Sequence, residues 1–129
     1  GERVAVVKID TEGFETRALE SLRPAWALLD DIVIEIQPAA WKHHGLTLDE
    51  GLATLRDLFR ANHYRAVSLP KRRGQKNRFA TPNLVDACLL PWASNKSFTA
   101  SMLNGGMDGA MVARWPQFEA SVRRVAAIG

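Results

Sequence analysis

Three carboxylates follow the first apolar run of the chain, residues 4–9, and are the side chains best placed to do chemistry. They are Asp10, Glu12 and Glu15. A carboxylate can take a proton from a hydroxyl or an amine, hold a sugar, or bind a divalent ion through oxygen. Because ligands of open α/β sheets bind outside the carboxyl ends of the strands, we interpret all three acids as candidate site residues. Glu15 lies one turn further along and is expected to be structural.

Helix capping is the competing interpretation of the same acids. Acids in the first turn stabilise a helix by roughly 0.3–1 kcal/mol through its dipole and its free N–H groups, without any chemistry. Asp10 or Thr11 is the expected cap of a helix over residues 12–22. Gly13 within this stretch indicates either a close approach of helix and sheet or room for a ligand.

A second group of candidates belongs to the next apolar run, residues 32–37, and to the loop after it. Glu35 lies between two isoleucines, and a charged residue in such a run is rarely buried without a partner. It faces either the ligand crevice or a cation on the helix layer. Trp41 and His43 follow and could reach the same crevice, so we predict substrate contacts for Glu35, Trp41 and His43. Adjacent histidines point apart, so no metal site is expected from His43 and His44.

Composition excludes several classes of protein. The 129 residues are 47% hydrophobic and 24% charged with a net charge of +3, as in an ordinary globular chain. The basic run 71–78 has only Phe79 nearby to stack on a base, so no nucleic-acid partner is expected. No stretch approaches the roughly 18 apolar residues of a membrane span, and no membrane contact is expected. The single cysteine, Cys88, predicts a buried thiol in a reducing, intracellular compartment.

Hydrophobic periodicity predicts an α/β fold. The predicted strands cover residues 4–9, 32–36, 64–69 and 85–90, and the predicted helices cover residues 12–22, 48–62 and a segment from Pro116 onward. Phe14, Ala18, Leu19 and Leu22 form the expected apolar stripe of the first helix. About a dozen residues suffice for a crossover between parallel strands, so the first two strands should be parallel and buried. The last two strands have no helix between them and should be antiparallel.

The run Asp10-Thr11-Glu12-Gly13-Phe14-Glu15 after an apolar strand, followed by Ile32-Val33-Ile34-Glu35-Ile36-Gln37-Pro38, resembles the FkbM family of S-adenosylmethionine-dependent methyltransferases. The resemblance covers roughly residues 4–69 well and 79–92 loosely. It implies a partial class I methyltransferase (Rossmann-like) sheet, a parallel βαβαβ unit followed by an antiparallel closing strand and a C-terminal helix. Residues 1–92 would be the carboxyl-terminal half of that domain, and 93–129 a helical extension packed on it.

The resemblance implies transfer of a methyl group from S-adenosylmethionine to an oxygen, or in the alternative to a nitrogen, of a small-molecule or sugar acceptor. The resemblance makes Asp10 and Glu12 the catalytic residues, which position or deprotonate that acceptor. The glycine-rich loop expected to hold that cofactor is missing, because the glycines at 105, 106 and 109 do not follow a strand. We therefore expect a fragment without its cofactor-binding half, and no cofactor-binding residues within it. Two alternatives stay open: a non-catalytic α/β partner-binding module, and a transferase that uses the acids to hold a metal and a nucleotide sugar.

Overall fold

A computed structural model describes residues 2–68, 85–91 and 112–128. These residues form a mixed sheet and three α-helices. The strands are β1 (Val4–Ile9), β2 (Leu29–Ile36), β3 (Tyr64–Ser68), β4 (Val85–Pro91) and β5 (Val112–Ala113), and the helices are α1 (Glu15–Ser21), α2 (Leu48–Asn62) and α3 (Trp115–Ile128). Two 3₁₀ helices, Arg23–Leu28 and Pro38–His44, precede and follow β2. The basic run 71–78, Trp92 and the glycines at 105, 106 and 109 lie outside the described residues.

The sheet has the strand order β1-β2-β4-β3-β5. β1 is parallel to β2, whereas β4 is antiparallel to both β2 and β3, and β5 is antiparallel to β3. The predicted α/β class, the parallel first pair, the antiparallel last pair and the C-terminal helix are confirmed. The sequence did not predict the strand order, in which β4 lies between β2 and β3. β3 therefore has the same direction as β2 without pairing with it.

β1 lies at an edge of the described sheet, contrary to the expectation of a buried strand. Val4 and Val6 are 43% and 36% exposed, and only Ile9 is buried. Apolar β-branched residues favour a strand at an edge as well as in the middle of a sheet, so the run predicts the strand but not its place. In the parallel pair of β1 and β2, the buried strand is β2.

The main core lies between the sheet and the helices. Every second residue of β2, namely Ile32, Ile34 and Ile36, is buried there, as the twofold repeat of a strand requires. The helices contribute Leu19, Leu52, Leu55, Leu58, Phe59, Phe118, Val122 and Val125. Cys88 is fully buried, as predicted.

Helix α2 has the predicted bounds because both of its ends are encoded locally. The Thr47 hydroxyl accepts from the backbone N–H of Glu50, and the Glu50 carboxylate accepts from the backbone N–H of Thr47, each at 3.1 Å. This capping box satisfies two free donors and holds the pKa of Glu50 below its usual value. His63 adopts a left-handed conformation with φ of 52° and ends the helix.

Helix α1 begins three residues later than predicted, at Glu15 rather than Glu12. Glu12 and Gly13 have φ of 52° and 97°, which a right-handed helix cannot accommodate. The residue before the helix is Phe14, and it makes no side-chain cap. The prediction that Asp10 or Thr11 caps this helix is therefore wrong, and both Asp10 and Glu12 lie outside it.

No helix of the described residues is long and apolar enough to span a bilayer.

Candidate functional site

The carboxyl ends of β1 and β2 bring two of the predicted site acids to one edge of the sheet. Ile9 pairs with Ile34, and continuing this register by one residue places Asp10 beside Glu35. Asp10 is exposed, and Glu35 is half-buried. The two acids were predicted from different parts of the sequence. They share this edge because parallel strands end at the same side of a sheet.

The turn after β1 holds Glu12 in an unusual backbone conformation. A positive φ is uncommon for a residue with a side chain and costs of the order of 1–3 kcal/mol, and such positions cluster at functional sites. Gly13 makes the turn possible, because a Cβ atom at this position would overlap the Cβ of Ala40. The backbone of Phe14 closes the turn by donating to the Thr11 carbonyl at 3.3 Å. The Glu12 side chain is exposed.

Glu15 attaches this turn to the segment that follows β2. Its side chain is fully buried, and Oε1 accepts hydrogen bonds from the backbone N–H of Gln37 at 2.8 Å and from Nε1 of Trp41 at 2.7 Å. Oε2 is also buried and has no hydrogen-bond partner among the described residues. The expected structural role of Glu15 thus has a specific form, since one carboxylate oxygen joins the start of α1 to two groups that lie 22 and 26 residues later in the sequence.

Trp41 lies in the core and not on the surface of the crevice. It is 1% exposed, and its ring lies so close to Gly51 of α2 that a Cβ atom there would overlap it. A buried indole offers almost no area to a ligand, so in this conformation Trp41 supports the 3₁₀ helix Pro38–His44 and does not contact a substrate. His43, on the same 3₁₀ helix, is exposed and is free to do so.

An aromatic pair that sequence reasoning missed lies beside the acids. The rings of Phe14 and His44 meet edge to face with centroids 5.4 Å apart, and Phe14 is 45% exposed. Arg17 fixes the same end of the 3₁₀ helix by donating from Nη2 to the His44 carbonyl at 3.0 Å. Helical periodicity had placed Phe14 in the buried stripe of α1, which is wrong because the helix starts after it. The one available signal was its position directly after a glycine in a turn.

The chemistry of the site is that of carboxylates and of the imidazoles of His43 and His44. Among the residues that the structure describes, no three His, Cys, Asp or Glu side chains are grouped to hold a metal ion. The exposed acids Asp10 and Glu12 can accept hydrogen bonds or protons from hydroxyl groups. The exposed ring of Phe14 can pack on an apolar or sugar face. This arrangement fits a small polar molecule that carries hydroxyl groups.

Comparison of the chain with protein-family models, with curated proteins and with solved structures finds no match.

Proposed function

We propose that this α/β unit carries the acceptor side of an S-adenosylmethionine-dependent methyltransferase of the FkbM type, acting on an oxygen of a small-molecule or sugar acceptor. One observation carries the proposal. The two stretches that resemble the family, residues 10–15 and 32–38, lie against each other at the carboxyl edge of β1 and β2 through the Glu15 hydrogen bond to Gln37. The antiparallel pair of β3 and β4 adds support, because the resemblance implies a sheet that closes in this way.

In this proposal Asp10 is the base, and Glu12 orients the acceptor. The Asp10 carboxylate accepts the proton of the acceptor hydroxyl as that oxygen bonds the methyl group, while the bond between the methyl group and the sulfonium sulfur breaks and a neutral thioether leaves. Glu12 is fixed by the strained turn and accepts a hydrogen bond from a second hydroxyl. Glu35 and His43 complete the acceptor contacts, and the exposed face of Phe14 excludes water from one side. Alignment and proton removal are the contributions that a protein makes to such a transfer.

The described residues fit the acceptor side of this reaction better than the cofactor side. S-adenosylmethionine supplies a methyl group on a sulfonium sulfur. In the strand-to-helix turn after β1, Gly13 is the only glycine, and its missing Cβ leaves room for Ala40 and not for a ligand. We therefore assign no cofactor-binding residue in this chain.

The test uses the protein at the length that its natural gene encodes. It compares variants in which one carboxylate is replaced by an amide. Transfer of a tritiated methyl group to a panel of sugars and small alcohols is measured for Asp10→Asn and Glu12→Gln. Glu2→Gln is the matched control, because Glu2 is an exposed acid just before the amino end of β1. Loss of a general base lowers turnover by about 10²–10⁴-fold, and we expect this for Asp10→Asn with an unchanged unfolding curve. Equal turnover of Asp10→Asn and Glu2→Gln would remove Asp10 from the mechanism.

A non-catalytic partner-binding module is the second candidate function. The exposed apolar residues Val4 and Val6 on edge strand β1 favour it, because an edge strand can pair with a strand of another chain. Val6→Lys should disrupt such pairing and leave methyl transfer unchanged. Sedimentation velocity of the naturally encoded protein, with and without Val6→Lys, measures whether the pairing is disrupted. A wild-type protein that transfers no methyl group, but whose assembly is disrupted by Val6→Lys, would favour this candidate over the first.

A further inference from the structure

A cavity of about 450 Å³ lies between the segment after β2 and helix α3. Its wall is mostly apolar and is formed by Pro38, Ala39, Leu46, Leu48, Ala126 and Ala127. Small-molecule pockets commonly have volumes of roughly 300–1,000 Å³ and combine an apolar lining with a few polar groups. The size and lining of this cavity therefore fall within the range of small-molecule sites.

Two cationic side chains, Lys42 and Arg123, also line the cavity. Arg123 is already engaged, since it donates from Nε to Glu119 at 2.9 Å and from Nη2 to Asp49 at 3.3 Å. Lys42 is exposed and forms no ion pair with any residue of the described ranges. The ammonium group of Lys42 is consequently the charge that remains available to a ligand.

The cavity is separated from the acid cluster by the 3₁₀ helix Pro38–His44. Ala40 of this helix contacts Gly13 on the side of the acids, whereas Ala39 and Lys42 line the cavity. Trp41 touches both sides, because it is one residue of the cavity wall and its Nε1 donates to Glu15. The cavity is thus a second site, connected to the first through one buried indole.

We propose that this cavity binds a small molecule with an apolar body and one anionic group, such as an aromatic or acyl carboxylate, sulfonate or phosphate. The apolar body fills the space between Pro38, Leu46 and Ala126, and the anion pairs with Lys42. Apolar area removed from water drives the binding, and the ion pair sets the orientation. The proposal does not depend on methyl transfer.

Two fluorescent probes with one ring system test the proposal. Anilinonaphthalene sulfonate carries an anionic group, and N-phenylnaphthylamine is the same apolar body without it. We expect each probe to bind the folded protein at one site. Lys42→Glu should weaken binding of the sulfonate by about five- to tenfold, in the range of an exposed ion pair and its reversal, and leave the neutral probe unchanged. Lys8→Glu, an equal charge change on exposed strand β1, is the control and should affect neither probe.

A second variant tests the location. Ala126→Phe should fill the cavity and weaken binding of both probes by at least about tenfold, with its fold checked by circular dichroism. Val6→Ser removes apolar surface from the exposed edge of β1 and should leave binding of both probes unchanged. The proposal is overturned if Lys42→Glu weakens both probes equally or neither. It is also overturned if Val6→Ser, and not Ala126→Phe, abolishes binding.

Discussion

Replacing Glu15 by alanine should lower the free energy of unfolding by about 2–4 kcal/mol. The substitution removes the acceptor of two buried donors, the backbone N–H of Gln37 and Nε1 of Trp41. Each buried donor left without a partner costs about 1–3 kcal/mol, which gives about 2–6 kcal/mol for the pair. Removing a buried carboxylate whose Oε2 has no partner recovers part of this loss, because desolvation of that charge is no longer required.

The conservative variant Glu15→Gln separates the hydrogen bonds from the charge. Its amide oxygen can replace Oε1 and accept both hydrogen bonds, so the loss should stay below about 1 kcal/mol and be clearly smaller than that of Glu15→Ala. Urea unfolding followed by far-ultraviolet circular dichroism measures both values. Glu2→Ala is the matched control at an exposed acid and should stay within about 0.5 kcal/mol of wild type.

A double-mutant cycle isolates the bond from Glu15 to Trp41. Trp41→Phe removes the indole donor, and its effect in the Glu15→Ala background should be smaller than in wild type by about 0.5–3 kcal/mol, as for residues in direct contact. The reasoning is refuted if Glu15→Ala unfolds within about 0.5 kcal/mol of wild type, the range of surface substitutions. Equal losses for Glu15→Ala and Glu15→Gln would also refute it, since the hydrogen bonds would then not matter.

Two further predictions concern the backbone at two glycines and the titration of Tyr64. Gly13→Ala and Gly45→Ala both place a side chain at positive φ, but a Cβ at position 13 also overlaps Ala40, whereas a Cβ at position 45 makes only an ordinary contact with Arg17 at 3.7 Å. In urea unfolding, Gly13→Ala should be more destabilising by about 1–3 kcal/mol, the usual cost of overpacking. Equal losses would contradict the close contact. For the tyrosine, burial raises the pKa of Tyr64 to about 12 despite a hydrogen bond from Asn62, and its hydroxyl donates to the Asp30 carbonyl at 2.7 Å. Because this pKa is raised on folding, its stabilising contribution is complete below pH 10 or so and is lost as the pH rises through about 12. Ultraviolet titration of this single tyrosine should have its midpoint near 12 in the native protein and near 10 in urea, and identical midpoints would place Tyr64 in solvent.

Local sequence signals predicted the elements whose ends are encoded nearby. The capping box of Thr47 and Glu50 and the apolar stripe behind it fixed α2, because each interaction joins residues within a turn or two of each other. The insertion of β4 between β2 and β3 has no such signal, since hydrogen-bonded neighbours in a sheet are chosen by packing of the whole chain. For the same reason the apolar run of β1 did not reveal that its valines are exposed.

The acids of the site could be predicted from the sequence, but the residues that hold them in place could not. Asp10 and Glu35 follow from strand ends that are visible in the sequence. The role of Glu15 depends on Trp41, which is distant in sequence and is itself placed by the missing side chain of Gly51. The exposed position of Phe14 depends on the positive φ of Glu12, a residue type for which that conformation is uncommon.

We propose that the acids at the carboxyl ends of β1 and β2 act on an acceptor hydroxyl in methyl transfer. The most direct measurement incubates the naturally encoded protein with S-adenosylmethionine labelled in its methyl group and a mixture of sugars and small alcohols, and analyses the products by mass spectrometry. We expect the label on an acceptor oxygen with wild-type protein and its loss with Asp10→Asn. Label on no acceptor, or the same amount of labelled product with Asp10→Asn, would contradict the claim.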